Sequence, residues 1–370
     1  MKTSLFPLAG LIPAFFVAPL TLHAELPGIP AISTPGTATW TTQVTESGTR
    51  LIFSFTGSSI LDWSSGFNLS EGSEIVFNFV NSTDTVVNML GGSGMNTIGG
   101  NVTSNGNIAF FSPNADLQIS GNITGNSVTV ATLDVDTTSF LSGGSYTLSG
   151  NPGGFNGLEV TGNIRATGGD VMLAGRRIDL SRDANINASG AIRLGAGTEI
   201  DVNPSAVGRK LKVKGEEGFV LNLGQTRASR IEIAAGNEII NKGRLDTGNG
   251  RIFLEVGNNG KVMKDRGIMV GTVSINGKVA PGASLKPNEG DSASALNPST
   301  LKIPAVKRPD GSAVLASRTV ASSTPVSASA DGGRDRKGGV SQVASRDKKQ
   351  PMLQRASFFG MRGGSTTVKK

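Results

Sequence analysis

The sequence predicts an all-β protein: a right-handed parallel β-helix with an N-terminal β cap and a disordered C-terminal tail. Glycine makes up 51 of 370 residues, about twice its usual share, which indicates many tight turns between short strands. A small residue followed by asparagine and a β-branched residue recurs along the chain. The repeated asparagines are Asn101, Asn122, Asn163 and Asn185.

Alternating apolar pairs extend this repeat towards the C-terminus. Equally spaced pairs occur at Ile231/Ile233, Ile252/Leu254 and Val273/Ile275, and an earlier pair at Leu211/Val213 is assigned to the same series. Alternation places both members of a pair on one strand face. One coil cannot bury such a pair alone, but stacked coils align them into a continuous interior. A two-sheet antiparallel sandwich is the alternative, and the constant interval favours the solenoid.

The chain divides into four segments. Residues 1–24 are predicted to be a secretory signal peptide, with Lys2 followed by an apolar stretch and Ala24 before the cut. Residues 25–99 alternate without the constant interval and are predicted to be the N-terminal cap. Residues 100–290 are predicted to form the β-helix, interrupted by an extra-helical hairpin at 138–157. Residues 291–370 are predicted to be a disordered basic tail, because they contain few large apolar residues.

Charge is segregated between these segments. Residues 25–160 contain ten acidic residues and one basic residue. Residues 161–290 contain 13 acidic and 19 basic residues, and residues 291–370 contain five acidic and 14 basic residues. The overall net charge of +7 therefore describes no single region, and no specific nucleic-acid binding is predicted. The basic tail is a candidate for binding host or surface glycans or anionic envelope polymers, and a solvated end is the alternative.

The residue types present exclude several chemistries. The chain has no cysteine, and its one histidine, His23, lies in the predicted signal peptide. Nucleophilic triads with histidine and zinc sites of histidine or cysteine are therefore excluded from the mature protein. Asp134 and Asp136 are expected on one strand face, where they are candidates for Ca²⁺ binding or acid catalysis, although solvated surface residues are favoured. No catalytic residue, metal or cofactor is predicted.

One glycine-containing segment superficially suggests a phosphate-binding loop. Gly271 to Lys278 has five residues between its glycines instead of four, and Val279 follows the lysine. Asn276 and Gly277 are therefore interpreted as a turn between two strands.

Several phrases in the N-terminal half occur in a characteristic order. They are LDWSSGFNL at 61–69, SEIVFNF at 73–79, VNMLGG at 87–92, NGNIAFFSPN at 105–114 and ATLDVD at 131–136. Together they resemble the N-proximal secretion domain of two-partner-secretion exoproteins of the filamentous-haemagglutinin type. The resemblance covers residues 33 to about 205. It departs at Ala115, where the family usually has glycine after Asn-Pro-Asn.

The resemblance implies a function in export. Such a protein crosses the periplasm, is recognised by an outer-membrane Omp85-type (TpsB-like) barrel, and acts as a monomeric, adhesin-like solenoid at the cell surface or after release. Residues within the phrases are implied in transporter recognition. These residues are Phe67, Asn68, Leu69, Ser112, Pro113, Asn114, Leu133 and Asp134.

Two other functions are compatible with the sequence. Parallel β-helices also include carboxylate-dependent enzymes, so a polysaccharide lyase or hydrolase is one alternative. A structural envelope protein that stays in the periplasm is the other.

Overall fold

The computed structural model describes residues 26–33, 37–45, 48–150, 157–263 and 267–280. The predicted signal peptide, 1–24, and the predicted basic tail, 291–370, lie outside these residues. Within them, no helix is long and apolar enough to cross a membrane.

Three walls of parallel strands form a solenoid, and they are named faces 1, 2 and 3 in the order in which each coil visits them. Faces 1 and 2 belong to one 19-stranded sheet, and face 3 is an 8-stranded sheet. Face 1 contains β3 (Gly48–Phe55), β6 (Glu74–Phe79), β9 (Asn101–Ser104), β12 (Asn122–Gly125), β17 (Asn163–Ala166), β20 (Asn185–Ala188), β25 (Gln225–Arg227) and the first parts of β28 (Arg244–Val256) and β30 (Ile268–Ile275). Face 2 contains β4 (Ser59–Trp63), β7 (Thr85–Leu90), β10 (Asn107–Phe111), β13 (Val128–Ala131), β18 (Val171–Gly175), β21 (Ala191–Ala196), β26 (Arg230–Ala235) and the second parts of β28 and β30. Face 3 contains β5 (Asn68–Leu69), β8 (Met95–Ile98), β11 (Asp116–Ile119), β16 (Gly157–Val160), β19 (Arg177–Leu180), β24 (Phe219–Asn222), β27 (Glu238–Asn241) and β29 (Lys261–Met263).

The remaining elements lie at the ends and on one side of the solenoid. At the N-terminal end, β1 (Ala31–Ser33) and β2 (Ala38–Thr45) pair antiparallel with β4 and β3. At the C-terminal end, β31 (Lys278–Val279) pairs antiparallel with β30. An accessory sheet has the order β14 (Asp134–Val135), β15 (Tyr146–Ser149), β22 (Glu199–Val202), β23 (Leu211–Lys214), and α1 (Thr137–Leu141) connects its first two strands.

The predicted parallel β-helix with an N-terminal β cap is confirmed. The repeated asparagines stack in register, since Asn122 pairs with both Asn101 and Asn163, and Asn163 pairs with Asn185. The apolar pairs stack in the same way, with Ile231 opposite Ile252. The turn interpretation of Asn276 and Gly277 is also confirmed, because both have positive φ and join two antiparallel strands.

Two predicted assignments are wrong. Coils begin within the segment assigned to the cap, because Leu51, Ile75 and Val102 already pair in parallel register. The steps between these three positions are longer than the interval of the later coils, so a search at that constant interval misses them. Leu211 and Val213 are not part of a coil, because β23 pairs antiparallel with β22 in the accessory sheet.

A close approach of backbones explains the glycine in the repeated phrase. A Cβ atom on Gly121 would lie 1.9 Å from the carbonyl oxygen of Gly100, and one on Gly162 would lie 1.9 Å from that of Gly121. Neither glycine needs a positive φ. The corner between faces 3 and 1 is therefore packed backbone against backbone in these coils, which leaves no room for a side chain.

The accessory sheet buries the outward side of face 2. Four alanines lie on that side, and all of them are buried: Ala109, Ala131, Ala174 and Ala234. Larger apolar side chains of the accessory sheet pack on them, and these include Leu148, Ile200 and Val202. The protein therefore has a second apolar core outside the solenoid, in addition to the one within it.

Candidate functional site

The residues implied in transporter recognition lie along one corner of the solenoid, between faces 2 and 3, which we call the 2–3 corner. The chain turns there at 64–67, 91–94, 112–115 and 132–133 in four successive coils. Backbone hydrogen bonds connect these turns, for example from Gly91 N–H to Trp63 O at 3.0 Å and from Ser112 N–H to Ala131 O at 2.8 Å. Phrases far apart in sequence are therefore neighbours in the fold.

The implied residues differ in exposure. Asn68, Asn114 and Asp134 are exposed, and Pro113 is half-buried. The other four are buried, and these are Phe67, Leu69, Ser112 and Leu133. A partner that meets the folded protein can therefore contact only the exposed members, while the buried members hold the corner together.

Asn96 connects the turns at the 2–3 corner, although no sequence motif marks it. Its side-chain oxygen accepts a hydrogen bond from Phe67 N–H at 2.7 Å. Its amide nitrogen donates to Ser112 Oγ at 2.8 Å and to Gly91 O at 3.2 Å. Asn96 is 2% exposed and occupies an inward position opposite Leu117. The sequence signal that could have identified Asn96 is a polar residue at an inward position of an alternating strand.

Asn88 supports the same corner from face 2. It lies opposite Leu61 and Phe110, so its side chain also points into the solenoid. It accepts a hydrogen bond from Trp63 Nε1 at 3.0 Å and donates to Ala109 O at 3.0 Å. Because buried amides cost free energy unless they are paired, these two asparagines define one arrangement of the neighbouring turns.

The turn after β10 forms with alanine, not glycine, at position 115. Ser112 Oγ donates to Ala115 O at 2.8 Å, and the methyl group of Ala115 is buried. Among the described residues, Asn276 is the one non-glycine residue with positive φ, so neither Asn114 nor Ala115 needs a left-handed conformation. Alanine therefore fits this turn without backbone strain.

The expectation that Asp134 and Asp136 share a strand face is wrong. Asp134 lies in β14, whereas Asp136 caps the N-terminus of α1 and accepts hydrogen bonds from Thr138 N–H at 3.1 Å and Ser139 N–H at 3.3 Å. The hydrogen bond from the Ser139 side chain, followed by that from the Thr138 backbone, lowers the pKa of Asp136. The described residues contain no group of three or more acidic side chains arranged to hold a metal ion.

An ionic cluster with two buried members, Arg193 and Glu232, lies where the accessory sheet meets face 2. Arg193 Nη1 bonds to Asp170 Oδ2 at 2.6 Å, and Arg193 Nε lies 3.8 Å from Glu232 Oε2. Glu232 is 1% exposed, and its Oε1 accepts from the N–H groups of Lys210 and Leu211 at 2.8 and 2.9 Å. Glu232 therefore holds the start of β23 against the solenoid.

Tyr146 reports on the same contact, because it is the sole tyrosine in the sequence. Its hydroxyl group donates to Met172 Sδ at 3.4 Å. Burial raises the pKa of Tyr146 to about 12, and the nearby Arg193 opposes this with a smaller lowering effect. The unfolded chain loses this proton first as pH rises, near pH ~10. The stability contributed by Tyr146 is therefore fully present below about pH 10 and is lost as the pH approaches 12.

We expect the ultraviolet absorbance of the phenolate to show a midpoint near 12 in the folded protein and near ~10 in urea. A midpoint near ~10 without denaturant would contradict the docking of β15 on face 2.

Comparisons with known proteins support the fold. No family model matches the sequence, and no curated protein matches it. A solved structure that does match is the crystal structure of the HMW1 secretion domain from Haemophilus influenzae, with a TM-score of 0.55. The two chains are 21% identical, and the match covers 68% of each. The protein has the fold of that secretion domain.

Proposed function

We propose that this protein is the exported partner of a two-partner secretion system. It crosses the periplasm, leaves through a separate outer-membrane Omp85-type barrel, and acts at the cell surface or after release as a monomeric, adhesin-like solenoid. The observation that supports this best is the 2–3 corner, where phrases resembling the secretion-domain family meet on a fold shared with a solved secretion domain.

The exposed residues of the 2–3 corner are proposed as the surface that the transporter recognises. Asn114 lies in the third of its turns, and Asn68 and Asp134 directly follow the first and the fourth. Residues 25–160 contain ten acidic residues against one basic residue, so this segment complements a basic docking face. The basic tail is proposed to bind glycans or anionic envelope polymers after export.

The first experiment compares export with and without the barrel. The full chain is expressed in a bacterial host with an Omp85-type barrel encoded beside its gene, and the medium, cell surface and periplasm are assayed. We expect the protein outside the cell when the barrel is present and in the periplasm when it is absent. Equal export without the barrel contradicts the two-partner proposal, and permanent periplasmic retention favours a structural envelope protein.

A second comparison tests the corner itself. We expect the triple variant N68A/N114A/D134N to be folded but retained in the periplasm, because it removes three exposed polar side chains of the corner and leaves Asn96 in place. The matched control is N237A/N258A/D183N, which changes exposed residues of the same types elsewhere on the solenoid. Equal export of the two variants would exclude the folded corner as the recognition surface.

A buried-residue variant separates recognition of the folded corner from recognition of an extended segment. Leu69 and Leu133 are 0% exposed, so their side chains are accessible only in an unfolded chain. If L69A/L133A blocks export while N68A/N114A/D134N does not, the transporter recognises the extended chain. The proposal that it recognises the folded 2–3 corner is then wrong.

A further inference from the structure

A polar groove of about 780 Å³ lies on the outward side of face 1, remote from the 2–3 corner. It crosses the coils that contain β12, β17, β20, β25 and the first part of β28. Parallel register places Arg165, Asn187, Arg227 and Asp246 in one row along its floor. A second row contains Asn122, Asn163 and Asn185. The groove therefore presents polar groups at the regular spacing of the coils.

The ladder of asparagine side chains breaks inside this groove. Asn122 Nδ2 donates to Asn101 Oδ1, and Asn163 Nδ2 donates to Asn122 Oδ1, each at 2.7 Å. The next step is missing: among the described residues no bond joins Asn185 Nδ2 to Asn163 Oδ1, and Asn185 Oδ1 accepts instead from Asn187 Nδ2 at 2.8 Å. Within the described part of the chain, Asn163 Oδ1 and Asn185 Nδ2 therefore have no hydrogen-bond partner, and both are available to a ligand.

The groove also contains two cations without an ion-pair partner. Arg165 and Arg227 are exposed, and neither forms an ion pair with any residue that the structure describes. Asp246 is the acidic side chain in the groove. Arg244 Nη2 at 2.7 Å and Gly248 N–H at 2.9 Å already engage it and lower its pKa, and Arg227 adds a weaker attraction. Two coil spacings separate Arg165 from Arg227 along this row, which is roughly 10 Å at the usual distance between strands.

We propose that this groove binds a linear acidic polysaccharide of the polyuronate type. Guanidinium groups bind carboxylates through paired hydrogen bonds, so Arg165 and Arg227 would bind carboxylates on alternate sugars of one chain. Asn163, Asn185 and Asn187 would bind the hydroxyl groups between them. No aromatic side chain is among the described residues that line the groove, so the groove offers the bases of a single-stranded nucleic acid no ring on which to stack. The proposal does not depend on export.

The test measures binding of polygalacturonate to the purified full chain by calorimetry, with neutral dextran and a thymidine oligonucleotide as comparison ligands. Moderate salt screens loose attraction to the basic tail. We expect R165Q/R227Q to bind polygalacturonate at least about tenfold more weakly, because charge-assisted hydrogen bonds are lost. The control R251Q/K261Q removes the same charge from exposed positions on faces 2 and 3, and it should bind like the unchanged protein.

Hydrogen exchange locates the bound polymer and so distinguishes binding in the groove from binding by the basic tail. We expect protection at 163–167, 185–189 and 225–229. Protection confined to 291–370, equal weakening in both double variants, tighter binding of the oligonucleotide, or no saturable binding of polygalacturonate would each overturn the proposal. Because all four arginine and lysine positions are exposed, we expect both double variants to fold, and circular dichroism checks this.

Discussion

Replacing Phe77 with alanine is expected to destabilise the protein by about 3–5 kcal/mol, the usual cost of removing a buried phenylalanine ring. Phe77 is fully buried in β6, and its ring centroid lies 5.6 Å from that of Phe53 and 6.0 Å from that of Phe55. These rings fill the wide first coils. Their loss would leave a cavity that the hydrogen-bonded sheets cannot close, because strand spacing is fixed.

The measurement is urea unfolding of F77A followed by far-ultraviolet circular dichroism. Phe253 provides the matched control, because it is a partly exposed phenylalanine that contacts Arg230 through its ring face at 4.4 Å. F253A should cost clearly less than F77A, because its partly exposed ring loses less apolar burial together with one cation–π contact. Similar losses of stability in both variants would contradict the assignment of Phe77 and its neighbouring rings to the core of the first coils.

Replacing Glu232 with alanine is expected to cost about 3–5 kcal/mol and to loosen the accessory sheet. The carboxylate is buried between Arg193 and the start of β23. Its removal leaves the N–H groups of Lys210 and Leu211 without their acceptor, and unpaired buried donors are costly. Glu232→Gln keeps one acceptor oxygen and should lose less stability.

Tyr146 provides a local measurement for this variant. If the accessory sheet loosens, water reaches the phenol, and the pKa of Tyr146 should fall from about 12 towards its ordinary value. Glu238→Ala is the control, because this partly exposed glutamate lies on face 3, away from the accessory sheet. An unchanged tyrosine titration in E232A would show that Glu232 does not hold β23 in place.

Local pattern was enough to predict the solenoid where the coils have constant length. Ile231, Ile252 and Val273 are equally spaced because each coil there has the same turns, so the interval itself encodes the stacking. The first coils are larger and lined with phenylalanine, and their longer, unequal steps concealed them. A fixed-period search detects equal coils and cannot detect a widening solenoid.

The sequence by itself determined the stacking, because alternation and glycine corners act between neighbouring segments and leave a regular signature. It also determined which phrases resemble a secretion domain. Only the tertiary structure decided that these phrases meet at one corner, that Asn96 joins them, and that Glu232 is buried. An outward position on an alternating strand normally faces water. Here the accessory sheet, contributed by two insertions far apart in sequence, covers face 2, and no local pattern encodes that contact.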